Sequence, residues 1–296
     1  MTKHFQLQTF LLLVAVILIW GINWPLTKLA LQAVAPLWLA ALRMLIATIC
    51  LLAYLLLTKK LQFPNKQDMP VILSVSFFQM VIFNFLVNTS LLYVSASRSV
   101  ILVYTTPLWV TPMAMIIFKE TLPFLKWVGL LLGLAGIGIL FNPASLDWHD
   151  AHTVIGNILL LLAAIAWAVA IVHVRYAKWR LTALQLLPWQ TLIATVCLLI
   201  LALLMEGKPN IQWTLHLFGL LFYIGVIGSA FAYWAAIEVA RRLPAVTTSL
   251  CLLGVPVAGL FSAHFILAEK ITTAMVIAML LLLTGLSCVT LTRQNK

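Results

Sequence analysis

The sequence predicts an all-α polytopic membrane protein: ten transmembrane helices arranged as two inverted five-helix repeats. Three observations carry this prediction. Of 296 residues, 64% are hydrophobic and only 8% are charged, whereas a soluble domain has about a quarter charged residues. The apolar residues fall into ten continuous runs near the roughly 20 residues that a span needs. Segments of the first half recur in the second at an offset of 147 to 149 positions.

The same composition excludes a soluble enzyme, a disordered chain and a disulfide-stapled secreted domain. Cys50, Cys197, Cys251 and Cys288 all lie in apolar runs and read as small hydrophobes, with no CxxC metal site. The net charge of +11 comes from small basic groups between the runs. That is a topology pattern and not a basic groove, so no nucleic-acid partner is expected. The runs do not alternate in polarity, which argues against a β-barrel.

The spans are read at 7–32, 36–58, 70–93, 97–118, 124–142, 155–177, 183–205, 214–239, 245–267 and 272–292. The first is a span and not a signal peptide: only Lys3 precedes it, no small-x-small cleavage site follows, and the apolar run continues past Pro25. Polar or proline-bearing breaks separate the others at Gln32–Pro36, Lys59–Asp68, Asn142–Thr153, Glu206–Asn210 and Arg241–Pro244. Gly129 and Gly133 give the fifth span a GxxxG face for packing inside the monomer; a weak homodimer contact is the alternative. The domain division is a first repeat at 1–142, an extracytoplasmic linker at 143–154 and a second repeat at 155–296.

Orientation follows from Lys and Arg. With the N-terminus cytoplasmic, only Lys28, Arg98, Lys208 and Lys270 fall outside, Arg43 lies inside a span, and all other basic residues face the cytoplasm. The positive-inside rule therefore places both termini in the cytoplasm.

The repeat is clearest where LIATICLL at Leu45–Leu52 returns as LIATVCLL at Leu192–Leu199. Trp20 and Trp167 share this register. Further on Ala96 pairs with Ala245, Pro107 with Pro256, and Glu120 with Glu269. Five spans is an odd number, so the second half enters the membrane from the opposite side. Inverted halves of this kind are a design of secondary transporters, with the site between them near the midplane.

Trp20-Gly21-x-Asn23-Trp24 in the first span, Arg43 in the second, and Ser95-Ala96 leading to Pro107 and Glu120 resemble the EamA-type pattern of the drug/metabolite transporter superfamily. Trp167, then Pro244-Ala245 leading to Pro256 and Glu269, repeat it over nearly all the remaining chain. The resemblance implies a ten-helix bundle that moves small metabolites, often exporting amino acids or related compounds. It also implies a cavity lined by the first, third, fourth, sixth, eighth and ninth spans. The second half departs from the first at one place, where Arg43 corresponds to Gln190.

The residues expected to bind substrate are Trp20, Asn23, Trp24 and Thr27, on one face of the first span, with Asn84, Tyr104, Trp167, Tyr233 and Ser249. Polar groups inside a bilayer are costly, so their presence points to a site. Asn84, Asn88 and Tyr233 have a second reading as helix-bridging groups. Pro25, Pro107 and Pro256 each free a carbonyl four residues back, Gly21, Val103 and Leu252 respectively. They are candidates for hinges, and the Gly21 carbonyl is expected to meet the cavity. Glu120 and Glu269 are expected to lock or gate, each capping the helix that follows it. Arg43 either snorkels or pairs with a carbonyl, or it is the counter-ion of a substrate carboxylate. Lys28 is expected to snorkel. Glu238 is expected to pair with Arg241 and Arg242. His173 and His264 are read as bonding to neighbouring helices. The run Asp147-Trp148-His149-Asp150-Ala151-His152 reads as a solvated loop rather than a metal site.

These features predict an inner-membrane carrier of small amphipathic metabolites by alternating access, amino acids first, in the direction of export. Facilitated diffusion or exchange is expected, since no carboxylate lies near the midplane. Neither GxxxxGK[ST] nor GxGxxG occurs, so no cofactor and no direct ATP drive are expected. The partners are a small-molecule substrate and the lipid bilayer. The rival readings are a passive pore or non-transporting subunit, a carrier of cationic drugs or nucleotide-derived metabolites, and, last, a membrane enzyme.

Overall fold

The computed structural model describes residues 3–118, 123–142, 147–242, 252 and 254–291. No strand occurs among them. The helices are α1 (Lys3–Ala30), α2 (Pro36–Leu57), α3 (Met69–Ser90), α4 (Ala96–Val103), α5 (Thr106–Phe118), α6 (Phe124–Leu140), α7 (Ala151–Tyr176), α8 (Ala183–Met205), α9 (Leu215–Leu221, Phe222–Phe231 and Ala232–Arg242 in succession), α10 (Gly254–Leu267) and α11 (Thr273–Leu291). Among the described residues, seven stretches are long and apolar enough to cross a membrane: 7–30, 36–57, 69–90, 96–117, 151–174, 183–205 and 215–239. Shorter apolar helices lie at 127–140, 254–267 and 273–285. The protein is thus an all-helical, multi-pass membrane protein. Large apolar side chains such as Leu57, Ile116, Leu204, Leu215 and Phe265 stand exposed on the outside of the bundle, as a lipid-facing surface requires.

The helix starts show why the chain breaks where it does. Thr182 and Gln185 form a reciprocal capping box at α8, while Ser95, Asp150 and Thr214 accept amide protons at α4, α7 and α9. Each satisfies donors left over at a helix end. The start of α2 has no cap of its own. There the Glu206 carboxylate, just past α8, accepts from the Leu37 and Trp38 amides at 2.9 and 3.1 Å.

Two elements differ from the sequence expectation. The fourth span is not one kinked helix. It leaves helical structure at Tyr104–Thr105 and restarts at Thr106, with Pro107 in the first turn of α5. Proline lacks the amide that would bind Val103, and the Thr106 hydroxyl takes that carbonyl instead at 2.7 Å. Pro25, in contrast, sits within an uninterrupted α1. The Gly21 carbonyl it frees does not meet a cavity; it accepts from Ser262 Oγ on α10 at 3.0 Å. Pro256 is the third residue of α10 as described, Gly254–Leu267.

Val75–Ile82 in α3 and Phe222–Phe231 in α9 are wide π turns. The Phe83 amide accordingly binds Phe78 and the Ala232 amide binds Ile227, five residues back in each case. An offset of 149 carries Ile82 onto Phe231, so the two turns occupy matching places in the halves. Such turns are rare and concentrate at functional sites.

The two halves interleave. α1 packs against α9 and α10, while α7 packs against α3, α4 and α5. α2 lies antiparallel to α8. Glu206 and Gly207, past the end of α8, bind the start of α2, whereas Gln185 and Trp189 at the start of α8 bind the Lys60 and Gln62 carbonyls past the end of α2. α6 pairs with α11 through glycine. A Cβ on Gly285 would fall 2.5 Å from the Gly129 carbonyl oxygen, and one on Gly136 would fall 3.0 Å from that of Ala278. The GxxxG face of the fifth span is therefore spent inside the chain.

Candidate functional site

Between the halves lies a cavity of about 360 Å³. Trp20, Asn23, Trp24 and Thr27 enter it from α1, since their three- and four-residue spacing puts them on one helix face. Asn84 enters from α3, Tyr104 from the α4–α5 break, Trp167 from α7 and Tyr233 from α9. The structure therefore brings together every described residue of the expected binding set. Ser249 lies outside the described residues, as does Glu120.

The walls are aromatic. Trp20 meets Tyr233 edge-on with ring centroids 6.2 Å apart. Trp167 is held between Phe83 at 5.5 Å and Tyr104 at 5.9 Å, both edge-on. Such packing fixes ring orientation and leaves faces for a ligand. Tyr104 reaches the wall because the helix breaks at that residue.

Polar groups interrupt these walls. Asn84 donates to the Met80 carbonyl of its own helix at 2.8 Å and bridges to no other helix among the described residues. Asn88 is the bridging group, donating to the Pro36 carbonyl at 3.1 Å. Thr27 donates to the Asn23 carbonyl at 2.7 Å. Asn23 Oδ1 is buried without a hydrogen bond among the described residues and lies against Gly228, where a Cβ would come within 2.5 Å of it.

Arg43 does not snorkel. It is 8% exposed, lines the cavity, and donates through Nε and Nη2 to Ser229 Oγ at 3.2 and 3.1 Å. The Ser229 hydroxyl in turn donates to the Ile224 carbonyl inside the π turn at 2.8 Å. One wide turn thus sets Gly228 against Asn23 and Ser229 against Arg43.

The walls are not those that the resemblance implied. The second and seventh spans contribute, through Arg43 on α2 and Leu186, Leu187 and Gln190 on α8, whereas no described residue of α10 lines the cavity. Gln79, Phe83, Trp179 and Gln190 were not singled out from sequence. Gln190 was named only as the counterpart of Arg43, and that pairing was the available signal.

The two ends of the cavity differ. One is sealed by buried Thr27 and Leu91. Above them Lys28 donates to the Val94 carbonyl at 2.6 Å and lies 3.5 Å from Glu269 Oε1, so it does not snorkel. Glu269 does not cap the helix that follows it. Its carboxylate accepts from the Ala96 and Ser97 amides at 2.8 and 2.9 Å and from the Ser97 hydroxyl at 2.6 Å, at the start of α4 in the other half. Ala268, with φ 53°, turns the chain back toward α4. Arg98 in the same turn binds Asn157 Oδ1 at 2.6 Å and the Leu140 carbonyl.

The other end reaches half-buried Trp179 and exposed Ala183. Around this mouth Asp68 accepts from the Arg180 and Leu181 amides at 2.8 and 3.3 Å, with Arg180 Nε 3.9 Å away. Burial pushes the Asp68 carboxyl up, but the Asn65, Arg180 and Leu181 amides and the Arg180 charge outweigh it and hold it below the usual carboxylate range.

Of the remaining expected groups, His264 Nδ1 contacts the Glu269 carbonyl at 2.8 Å, within its own turn, and His173 Nδ1 is buried without a partner among the described residues. His152 stacks on Tyr93 at 5.0 Å. Asp150 accepts from the His152 amide and the Thr153 hydroxyl. The side chains of Arg241 and Arg242 lie outside the described residues, so the pairing expected for Glu238 does too.

Sequence comparison agrees with a membrane transporter. The model of the EamA-like transporter family matches residues 7–142 and 154–291, and the chain belongs to this family. It is 25% identical over 281 residues to an uncharacterized transporter of Bacillus subtilis, YoaV, spanning 95% of this chain and 96% of that one. It is 26% identical over 285 residues to a probable amino-acid metabolite efflux pump of Salmonella typhimurium, spanning 92% and 91%. A crystal structure at 21% identity superposes with a TM-score of 0.66, covering 96% of this chain and 98% of its own, and shares the fold.

Proposed function

We propose that the protein is a secondary transporter that exports small amphipathic metabolites, amino acids and related compounds, across the bacterial inner membrane by alternating access. The observation that carries this reading is the aromatic cavity between the halves, sealed at the Thr27–Leu91 end and open at the Trp179–Ala183 end. A passive pore needs no such seal.

The reading takes the ten apolar helices as ten spans, and residues 1–142 and 155–296 as repeats inverted about an axis in the membrane plane. The antiparallel pairing of α2 with α8, the matched π turns and the reciprocal glycine contacts of α6 with α11 support it. In this orientation both termini are cytoplasmic. So is the open mouth, beside Lys59, Lys60, Lys66, Lys178 and Arg180. Export begins from this state: substrate enters between the rings, the mouth closes, and the Lys28–Glu269–α4 contact parts on the outer side. Pro107, Pro256 and the two π turns are the places where helices bend. The relative named as an amino-acid metabolite efflux pump supports the substrate class.

Counterflow in proteoliposomes tests this. Vesicles preloaded with an unlabelled amino acid or amphipathic derivative should transiently accumulate the labelled compound above equilibrium, with saturation. Equilibration without an overshoot would identify a pore.

A further inference from the structure

Arg43 is a buried cation with no anion bound to it among the described residues. It is 8% exposed, and its one hydrogen-bond partner among the described residues is the neutral hydroxyl of Ser229. No described residue on the cavity wall is acidic. Asp68, Glu206 and Glu269 are spent on backbone amides elsewhere, and Glu238, beside the lining Ile237, is not on the wall. An unpaired charge held away from water is expensive, and the chain accepts this cost at one of the two equivalent places only, Gln190 being the other.

We infer that Arg43 is the carboxylate-binding group of the cavity and that the preferred substrate is a net-anionic aromatic monocarboxylate rather than a zwitterion or a cation. The inference rests on the transport reading and, among the small amphipathic metabolites named there, puts monocarboxylates ahead of amino acids. The planar guanidinium matches a carboxylate in a two-point contact. Ser229 takes Nε and Nη2, which fixes the plane of the fork. A carboxylate neutralises Arg43 and leaves the aromatic part of the ligand among Trp20, Trp167 and Tyr104. The ammonium of an amino acid adds a second charge for which the wall supplies only neutral oxygens and ring faces. An amine without a carboxylate meets Arg43 itself and is repelled. The mouth carries the same sign: Lys59, Lys60, Lys66, Lys178 and Arg180 are exposed there, and of these Arg180 faces Asp68. Such a mouth raises the local concentration of anions.

Three ligands of one shape and different charge decide it. Binding of 3-phenyllactate, phenylalanine and phenethylamine to the purified full chain in nanodiscs is measured at pH 7 by tryptophan fluorescence. Phenyllactate should bind about tenfold or more tightly than phenylalanine, and phenethylamine weakest, the gap expected where a charged hydrogen bond is gained without an offsetting charge. Arg43→Gln, which installs the residue of the other half, should lose about tenfold or more for phenyllactate and leave neutral 3-phenylpropanol unchanged; Arg43→Lys should recover part of the loss. The ranking is read on the unaltered chain, so it decides even if a variant fails to fold. The assignment is overturned if phenylalanine or phenethylamine binds as tightly as phenyllactate, if none of the three binds, or if Arg43→Gln is folded and unaffected. Counterflow of phenylalanine would then still support a transporter.

Discussion

Thr48 and Thr195 meet Oγ1 to Oγ1 at 3.4 Å on the buried seam between α2 and α8, 147 residues apart in the chain. That separation is the offset at which LIATICLL returns as LIATVCLL, so equivalent residues of the two copies touch each other. Each hydroxyl also donates to the carbonyl four residues back, Met44 at 2.8 Å and Thr191 at 2.7 Å. In the proposed inversion, a residue in contact with its own counterpart lies where the two-fold axis crosses the bundle.

The glycine contacts away from this seam should govern stability. Gly285→Ala puts a methyl against the Gly129 carbonyl, and backbone cannot move aside cheaply. It should destabilise the purified protein by about 1–3 kcal/mol, read as a lowered Tm. Gly138→Ala, with nothing within 4 Å of the new atom, should be neutral or slightly stabilising.

The seal at the Thr27–Leu91 end makes unequal demands on its members. Glu269→Ala removes three hydrogen bonds from the first turn of α4 and should cost about 1–2 kcal/mol. Lys28→Ala removes a partly exposed ion pair and one hydrogen bond to the Val94 carbonyl and should cost about 1 kcal/mol. Thermal unfolding of both variants in one detergent gives the ranking. Equal losses would mean that the ion pair, and not the capping, holds this end.

Trp20 and Trp167 should act on affinity more than on folding. Replacing either by Ala removes a wall of the cavity and an edge-on contact worth about 0.5–1.5 kcal/mol. KM should rise roughly 2- to 10-fold, and Trp→Phe should recover most of it. Steady-state counterflow kinetics check this.

Asp68 gives an acid limit. Its folded carboxyl is held below the usual carboxylate range, so its contribution to stability is present above the unfolded value, about pH 4, and is lost as pH falls through the folded one. Tm should be insensitive to this group near neutrality and drop below about pH 4. Asp68→Asn should lower Tm at pH 7 and flatten the acid branch. A variant with the wild-type profile would contradict this role.

Hydropathy was enough to locate the apolar helices, and polar or aromatic groups inside those runs gave part of the cavity wall. Both are local: an apolar run of given length, or Trp20, Asn23, Trp24 and Thr27 at helical spacing, means the same wherever the run packs. What escaped depends on partners far along the chain. The Gly21 carbonyl looked free because Ser262 is 241 residues away. Glu269 looked poised over α11, yet its acceptor geometry is taken up 173 residues earlier at Ala96. The π turns leave no mark in composition, since they change the hydrogen-bond register of an apolar helix and not its residues. Without them the contact of Ser229 with Arg43 could not be foreseen.

The proposed opposed orientation of the two halves is tested most directly by labelling. In a chain with its native cysteines replaced, Trp148→Cys should react with an impermeant thiol reagent only from the periplasmic side, and Ala183→Cys, at the cavity mouth, only in inside-out vesicles. Labelling of both from one side, or of position 148 from the cytosol, would contradict it.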